Sequence, residues 1–219
     1  MMNHEAILKS KKTILFAEKR RMTRIVIGSP HHAPGGVENL PCKEHPDADE
    51  NSGIIARRVA EKLRASSIIA CNYHIDANKN LGTDYSLQIA KWKPKYLIEI
   101  HGHSGKKTGN HRHRKTGEKA KTRIEISSGS ESRNELSKKF ASVLQKKLEQ
   151  NPELKTLTVY GDFNEIRFTA SKTATITSGN WKALHIELPP MLRKNGKKLP
   201  KIANGFINIL EETIAEVCK

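Results

Sequence analysis

His31 and His32, Asp49 and Glu50, and His101 and His103 put imidazoles and carboxylates into three separate segments of the chain. These are the ligand types of a catalytic zinc, which takes three protein donors and keeps a fourth position for water. No HExxH run fixes two of them on one helical turn, so only the fold can assemble the set. Each residue also has an ordinary reading. His31-His32 lies in a stretch bounded by Pro and Gly, and Glu50 precedes a helix whose positive N-terminal end favours a carboxylate. His103, with His111 and His113, sits in or beside a basic run. His101 differs because it closes an apolar strand, where burial without a partner is costly. Further on, alternation through 183–188 puts His185 and Glu187 on one face and Leu184, Ile186 and Leu188 on the other. Glu187 could there accept a proton from an activated water; a solvated edge strand is the competing reading. The polar run 72–79, with Asp76, Asn78 and Lys79, directly follows a strand and also reads as an Asn- and Asp-rich turn.

The elements that must position these groups read as alternating strands and helices. Short β-branched or apolar runs at 24–27, 67–70, 96–100, 123–126, 157–160, 173–177 and 183–188 predict strands. Ile55, Val59 and Leu63 recur at helical spacing after Asn51 or Ser52, either of which can cap the helix. Ser132 and Glu135 form a capping-box pattern ahead of Leu136, Phe140, Val143, Leu144 and Leu148. A last helix is expected over 201–217, with Ile202, Phe206, Ile209, Leu210, Ile214 and Val217 facing inward. The pattern predicts an α/β fold, with a mostly parallel or mixed central sheet and helices on both faces. In such sheets ligands bind beyond the carboxyl ends of the strands, where the candidate residues lie.

With 219 residues, the chain suits one domain. Residues 24–219 read as a single α/β domain, and residues 1–23 as a basic N-terminal extension, either a flexible arm or an extra strand. No apolar run is long enough to span a membrane, and three scattered cysteines read as reduced thiols, so a soluble cytoplasmic protein is expected. Thirty-nine Lys and Arg against 23 Asp and Glu leave a net charge of +16, which favours an anionic partner. Residues 104–123 hold eight basic side chains against Glu118 and read as a mobile basic loop. Conversely, Glu38, Glu44, Asp47, Asp49 and Glu50 crowd together with Lys43 alone among them, a local acidic pocket that suggests a cation.

Taken in order, these motifs resemble the N-formylglutamate amidohydrolase family, relatives of the zinc carboxypeptidases. Ser29-Pro-His31 resembles its first metal motif, Asp47-Ala-Asp49-Glu50 its acidic second-ligand motif, and Asp76-Ala-Asn78-Lys79 its Asp-x-Asn-Arg segment, with Lys for Arg. Glu99-Ile-His101-Gly resembles its Asp-x-His strand end, with Glu for Asp. Residues 123–129 resemble its next strand and glycine turn, and His185-Ile-Glu187 its late Gln-x-Glu strand. The likeness covers about residues 24–217, and it implies a phosphorylase/hydrolase-like fold and a hydrolase-like catalytic domain over residues 24–219. It implies one divalent ion, zinc, held by His31, Glu50 and His101, with Asp49 the rival to Glu50, and His32 and His103 rivals for the histidine positions. It implies Glu187 as general base and Asn78 and Lys79 as substrate-binding residues, with Arg167 or Arg193 as further holders of a substrate carboxylate. The reaction implied is metal-assisted hydrolysis of an amide or peptide-like bond in a small anionic substrate. Two alternatives stay open: a basic nucleic-acid-binding protein, against which stand few aromatics and no reading motif, and a non-catalytic member of the same fold.

Overall fold

The computed structural model describes residues 4–105 and 122–219. The 104–123 loop lies mostly outside them. Eight strands form one mixed sheet: β1 (Ile14–Glu18), β2 (Met22–Ala33), β3 (Asp49–Glu50), β4 (Ala65–Cys71), β5 (Tyr96–Gly102), β6 (Arg123–Ser127), β7 (Thr158–Tyr160) and β8 (Lys182–Leu188). Their spatial order is β1-β4-β2-β5-β8-β6-β7, with β3 added beside the end of β2. The inner strands β4, β2, β5 and β8 are parallel, while β1 on β4 and β6 on β8 are antiparallel. Parallel strands buried on both faces read as continuous apolar runs, as Ile25-Val26-Ile27 and Tyr96-Leu97-Ile98 do.

Three helices, α2 (Ser52–Leu63), α4 (Asn134–Glu149) and α7 (Ile202–Val217), cover one face. Their apolar sides meet Ile25, Ile27, Ile98, Ile100, Leu184 and Ile186 in the main core. The opposite residues of the same strands, Val26, Leu97 and Ala183, pack beneath α3 (Asp84–Trp92) and α5 (Ala174–Thr177). The remaining helices, α1 (His4–Leu8) and α6 (Pro190–Arg193), are single turns. Residues 4–18 thus supply α1 and the edge strand β1, and Leu8 and Phe16 pack with Ile54 and Ile69. All three cysteines are buried and unpaired. Among the described residues no helix is long and apolar enough to cross a membrane.

Four local expectations are corrected. Residues 173–177 form a helical turn: Thr177 and Ser178 donate back to the Thr173 and Ala174 carbonyls, and Trp181 Nε1 ties the Thr175 carbonyl in place. Five β-branched and small residues carry too little periodicity to outweigh those contacts. At the start of α2, neither Asn51 nor Ser52 caps by side chain; Asn51 adopts φ 60° and gives its amide to the Arg193 carbonyl, and Ser52 Oγ donates to the Asp49 carbonyl. The Ser132 capping box is replaced by a 3₁₀ turn over Glu131–Arg133. Finally, Glu38, Glu44 and Asp47 are exposed, so the acidic run forms no pocket.

Candidate metal centre

β2 runs six residues further than the apolar run alone predicts, and its pairing with β4 shifts register between Ser29 and His32. Adjacent strand residues face opposite sides in any case; the irregularity resets the alternation, so that His32 rather than His31 shares the α2 side with Ser29. His32 turns toward α2, where Nδ1 accepts from Gly53 N–H at 3.1 Å and Nε2 donates to the Leu8 carbonyl at 2.9 Å. Burial pushes its pKa down to about 4. His31 turns to the other face, the one that also carries Glu99, His101, His185 and Glu187. His103 is likewise committed elsewhere, accepting from Gly105 N–H and donating to the Arg123 carbonyl at 2.8 Å.

On that face His31, Asp49 and His101 converge, each offering one donor atom within 4.8 Å of the others, and all three are buried. Asp49 Oδ2 lies 3.2 Å from His101 Nδ1 and 3.7 Å from His31 Nδ1. Donors at zinc's usual 2.0–2.1 Å in a tetrahedron stand about 3.4 Å apart, which these two edges bracket. His31 Nδ1 is buried and has no hydrogen-bond partner, so it is an orphan donor atom aimed at this space. The far nitrogens are held by carboxylates: His31 Nε2 is 2.9 Å from Asp76 Oδ1, and His101 Nε2 is 3.4 Å from Glu99 Oε2. Metal-binding imidazoles have this arrangement, the second nitrogen being fixed by a carboxylate. The residues present therefore fit a divalent ion.

Glu50, the other acidic candidate, faces away from this group. Its Oε2 accepts from Gly36 N–H at 2.8 Å and its Oε1 pairs with Lys194. Adjacent strand residues alternate sides, so only one of Asp49 and Glu50 can face the imidazoles, and the residue that does is Asp49.

The remaining candidates surround the centre. Glu187 sits directly beside His101 across β5 and β8; its Oε1 accepts from His185 Nε2 at 2.9 Å, and its buried Oε2 has no hydrogen-bond partner. Asn78 turns inward and donates to Glu99 Oε2 at 2.8 Å. Lys79 is half exposed, with Nζ 3.4 Å from Asp76 Oδ2. Arg193 is buried and spends its guanidinium on the carbonyls of Leu188, Glu50 and His103, which ties the ends of β8, β3 and β5 together. A methyl on Gly102 would overlap this guanidinium. Arg167 is exposed, its guanidinium 4.8 Å over the Phe168 ring.

Three residues escaped sequence reasoning. His45 stacks on His31 at 3.8 Å from a loop whose charged neighbours gave no hint of it, and with His31 and Asp76 it makes a second His and Asp group. Tyr85 and Thr175 donate to Glu99 Oε1 at 3.1 and 2.9 Å from α3 and α5. The signal for α3 was present in Thr83, whose side chain accepts from Ser86 N–H, and in the spacing of Tyr85 and Ile89.

The electrostatics follow from the packing. Burial opposes protonation of His101, but hydrogen bonds to Asp49 and Glu99 overcome it and raise its pKa to about 10. Burial would likewise raise the carboxyl of Asp49, yet the hydrogen bond from His101 and the neighbouring His31 imidazole hold it well below the carboxylate range. Asp76 is lowered to about 2, burial being outweighed by His31. The carboxylates around the two rings thus favour protonated imidazoles, and a cation held at this centre would compensate them in the protons' place.

No family model matches the sequence, and no curated protein matches it. Solved structures do. The product of Atu2144 from Agrobacterium tumefaciens superposes with a TM-score of 0.52 at 12% identity, covering 95% of this chain and 98% of that one. N-formylglutamate amidohydrolase from Ralstonia eutropha JMP134 superposes with a TM-score of 0.53 at 10% identity, covering 94% and 97%. At such identities the likeness is one of fold alone: this chain shares the α/β architecture of these two structures over nearly its whole length.

Proposed function

We propose that the chain is a zinc-dependent amidohydrolase that cleaves an amide or peptide-like bond in a small anionic substrate. The observation that carries this reading is the orphaned Nδ1 of His31 facing, with His101 Nδ1, a single oxygen of Asp49, beside an orphaned oxygen of Glu187. His31, Asp49 and His101 would hold the ion, with Asp76 and Glu99 fixing the two rings. When bound, zinc supplies Lewis acidity toward the scissile carbonyl and lowers the pKa of water to about 7.

The protein's own groups do the rest. Glu187 Oε2 takes the proton of the attacking water and returns it to the departing amine nitrogen, while His185 holds Oε1 still. Arg193 keeps the strand ends in register so that Glu187 and His101 remain side by side. Lys79, exposed at the rim, is the candidate for a substrate carboxylate; as a point charge it gives less directional binding than an arginine fork. The neighbour named as an N-formylglutamate amidohydrolase makes N-acylated acidic amino acids the first substrates to assay.

The test is metal analysis joined to hydrolysis. After exhaustive dialysis the wild-type protein should retain about one equivalent of zinc and release amine from an N-acyl amino acid panel, and His101→Ala should lose both. Wild-type protein that binds no divalent ion in titration calorimetry would remove the proposal.

A further inference from the structure

The opposite end of the sheet carries a second feature that the hydrolytic reading does not use. There the amino ends of the four inner strands line up. The Lys95 N–H donates to the Arg24 carbonyl, the Lys182 N–H to the Lys95 carbonyl, and the Met22 N–H to the Arg64 carbonyl. Arg24, Lys95 and Lys182 therefore stand on three neighbouring strands in one row, continued across β4 by Arg64 and by Arg20, whose backbone N–H and guanidinium bond Ser66 and Ala65. Strands lie about 4.8 Å apart, so the row spans about 14 Å. It lies about 20 Å along β5 from His101, at about 3.3 Å per residue.

The row is cationic to an unusual degree. Lys19, Arg21, Arg24, Arg64, Lys95 and Lys182 are exposed, and among the described residues no Asp or Glu lies within ion-pair distance of any of them; Lys95 Nζ donates to the Lys219 backbone oxygen at 2.9 Å. Glu18 is occupied by Arg20 at 2.7 Å and Glu61 by Arg57 at 3.5 Å. Lys19, Arg20, Arg21 and Arg64 line an open hollow of about 530 Å³. The ammonium groups of Lys95 and Lys182 converge over the Tyr96 ring, at 5.2 and 6.0 Å from its centre. Like charges held side by side at strand spacing repel one another, and among the described residues no Asp or Glu side chain compensates them. An extended chain of anions would do so at every strand.

We infer that this row is a docking surface for the phosphate backbone of nucleic acid, bound without regard to sequence and independently of the metal centre. A linear array of exposed cations fits a linear array of phosphates, and counterion release provides the driving force. Sequence readout is not expected, since among the described residues Tyr96 is buried and Trp92 and Trp181, near Lys95 and Lys182 in sequence, are packed partly against the core. A lipid surface fits less well, because among the described residues Met22 is the one exposed large apolar residue at this end, while Ile75, Leu81 and Leu87 lie elsewhere.

The experiment is fluorescence anisotropy of a labelled 20-nucleotide single strand with the full chain across a salt series. Binding should weaken linearly on logarithmic axes, and R24E/K95E/K182E should lose at least tenfold in affinity at low salt. Its salt slope should fall by about two, at roughly 0.7 per phosphate contact for single strands. K9E/K43E/K172E changes the net charge equally at other surfaces and should keep most of the affinity. Equal losses in both triple variants would mean diffuse charge and overturn the assignment, as would an absence of oligonucleotide binding at low salt. Tighter, row-dependent sedimentation with phosphatidylserine vesicles than binding to oligonucleotide would also overturn it. Should the triple reversal misfold, the single variants R24Q, K95Q and K182Q carry the same test, each expected to reduce the slope by a fraction of the triple's.

Discussion

Asn78 gives its amide to Glu99 across 2.8 Å, and through Glu99 it reaches the far nitrogen of His101. Its sequence neighbourhood pointed to substrate binding; its geometry points to holding the carboxylate that orients an imidazole. Losing a partner of this kind costs about 10–100-fold in metal affinity. Asn78→Ala should therefore weaken zinc binding by that order in competition with a chromogenic chelator, and activity measured at saturating zinc should largely recover. A raised KM with unchanged zinc affinity would restore Asn78 to the substrate. Thr175→Val and Tyr85→Phe, which remove the donors to Glu99 Oε1, should act in the same direction.

Asp49 and Glu50 are adjacent and both buried, so substitution separates them cleanly. Asp49→Asn keeps the shape and removes the charge between the two imidazoles; zinc content after dialysis should fall to near zero. Glu50→Gln leaves the centre intact and weakens the contacts to Lys194 and Gly36, so zinc should stay while thermal stability drops. A buried charged hydrogen bond contributes about 1.5–3 kcal/mol, which sets the size of that drop. The reverse pattern of metal loss would transfer the ligand role to Glu50.

How far the site was legible follows from these residues. Period-two alternation put His185 and Glu187 on one face from sequence alone, because a parallel strand leaves the backbone no other option. The same rule says that Asp49 and Glu50 must point opposite ways, but which one faces the imidazoles depends on how a two-residue strand docks on β2, a tertiary fact. His31 against His32 was undecidable for a related reason: the irregularity between Ser29 and His32 resets the alternation that would otherwise assign faces. His45 comes from a loop with no period to read, and α5 from a segment whose β-branched residues argued for a strand. The apolar strands and the long helices α2, α4 and α7 were legible because their spacing alone carries them.

Glu187 has one oxygen on His185 and one with no partner. General acid-base assistance is typically worth about 10²–10⁴-fold. Glu187→Gln should lower kcat by that factor at unchanged zinc stoichiometry, measured on whichever N-acyl substrate the wild type turns over. Wild-type turnover in this variant would assign the base elsewhere. His185→Gln preserves a donor toward Oε1 and should cost much less than His185→Ala, since the role is to hold a carboxylate.

In the ion-free protein the His101 pKa is raised to about 10 by Asp49 and Glu99 against the effect of burial. A folded-state pKa above the unfolded one means that the stabilisation is complete below about 6.5 and is lost as pH rises through about 10. Chelator-treated protein should thus lose melting temperature between pH 7 and 10, whereas zinc-loaded protein should not, because the ion replaces the proton. By the same exchange, zinc binding must release protons, so calorimetry at pH 7 in two buffers of different ionisation enthalpy should give heats that differ in proportion. Heats independent of buffer would contradict a proton-for-zinc exchange at this centre.

His32 is the control for His31. It is fully buried, bridges Gly53 N–H and the Leu8 carbonyl, and so pins α2 and α1 to β2. A methyl on Gly53 would fall 2.6 Å from His32 Cγ, so the helix approaches this strand as closely as the imidazole allows. His32→Ala leaves a buried N–H without a partner and a cavity beside it; an unsatisfied buried group alone costs about 1–3 kcal/mol. The variant should unfold at lower denaturant concentration yet retain zinc, while His31→Ala should lose zinc with a smaller change in the chelated protein's stability. Gly53→Ala should resemble His32→Ala, because both disturb the same contact from opposite sides. If His32→Ala instead emptied the metal site without destabilising the fold, the register of β2 at Ser29–His32 would have to differ from the one described.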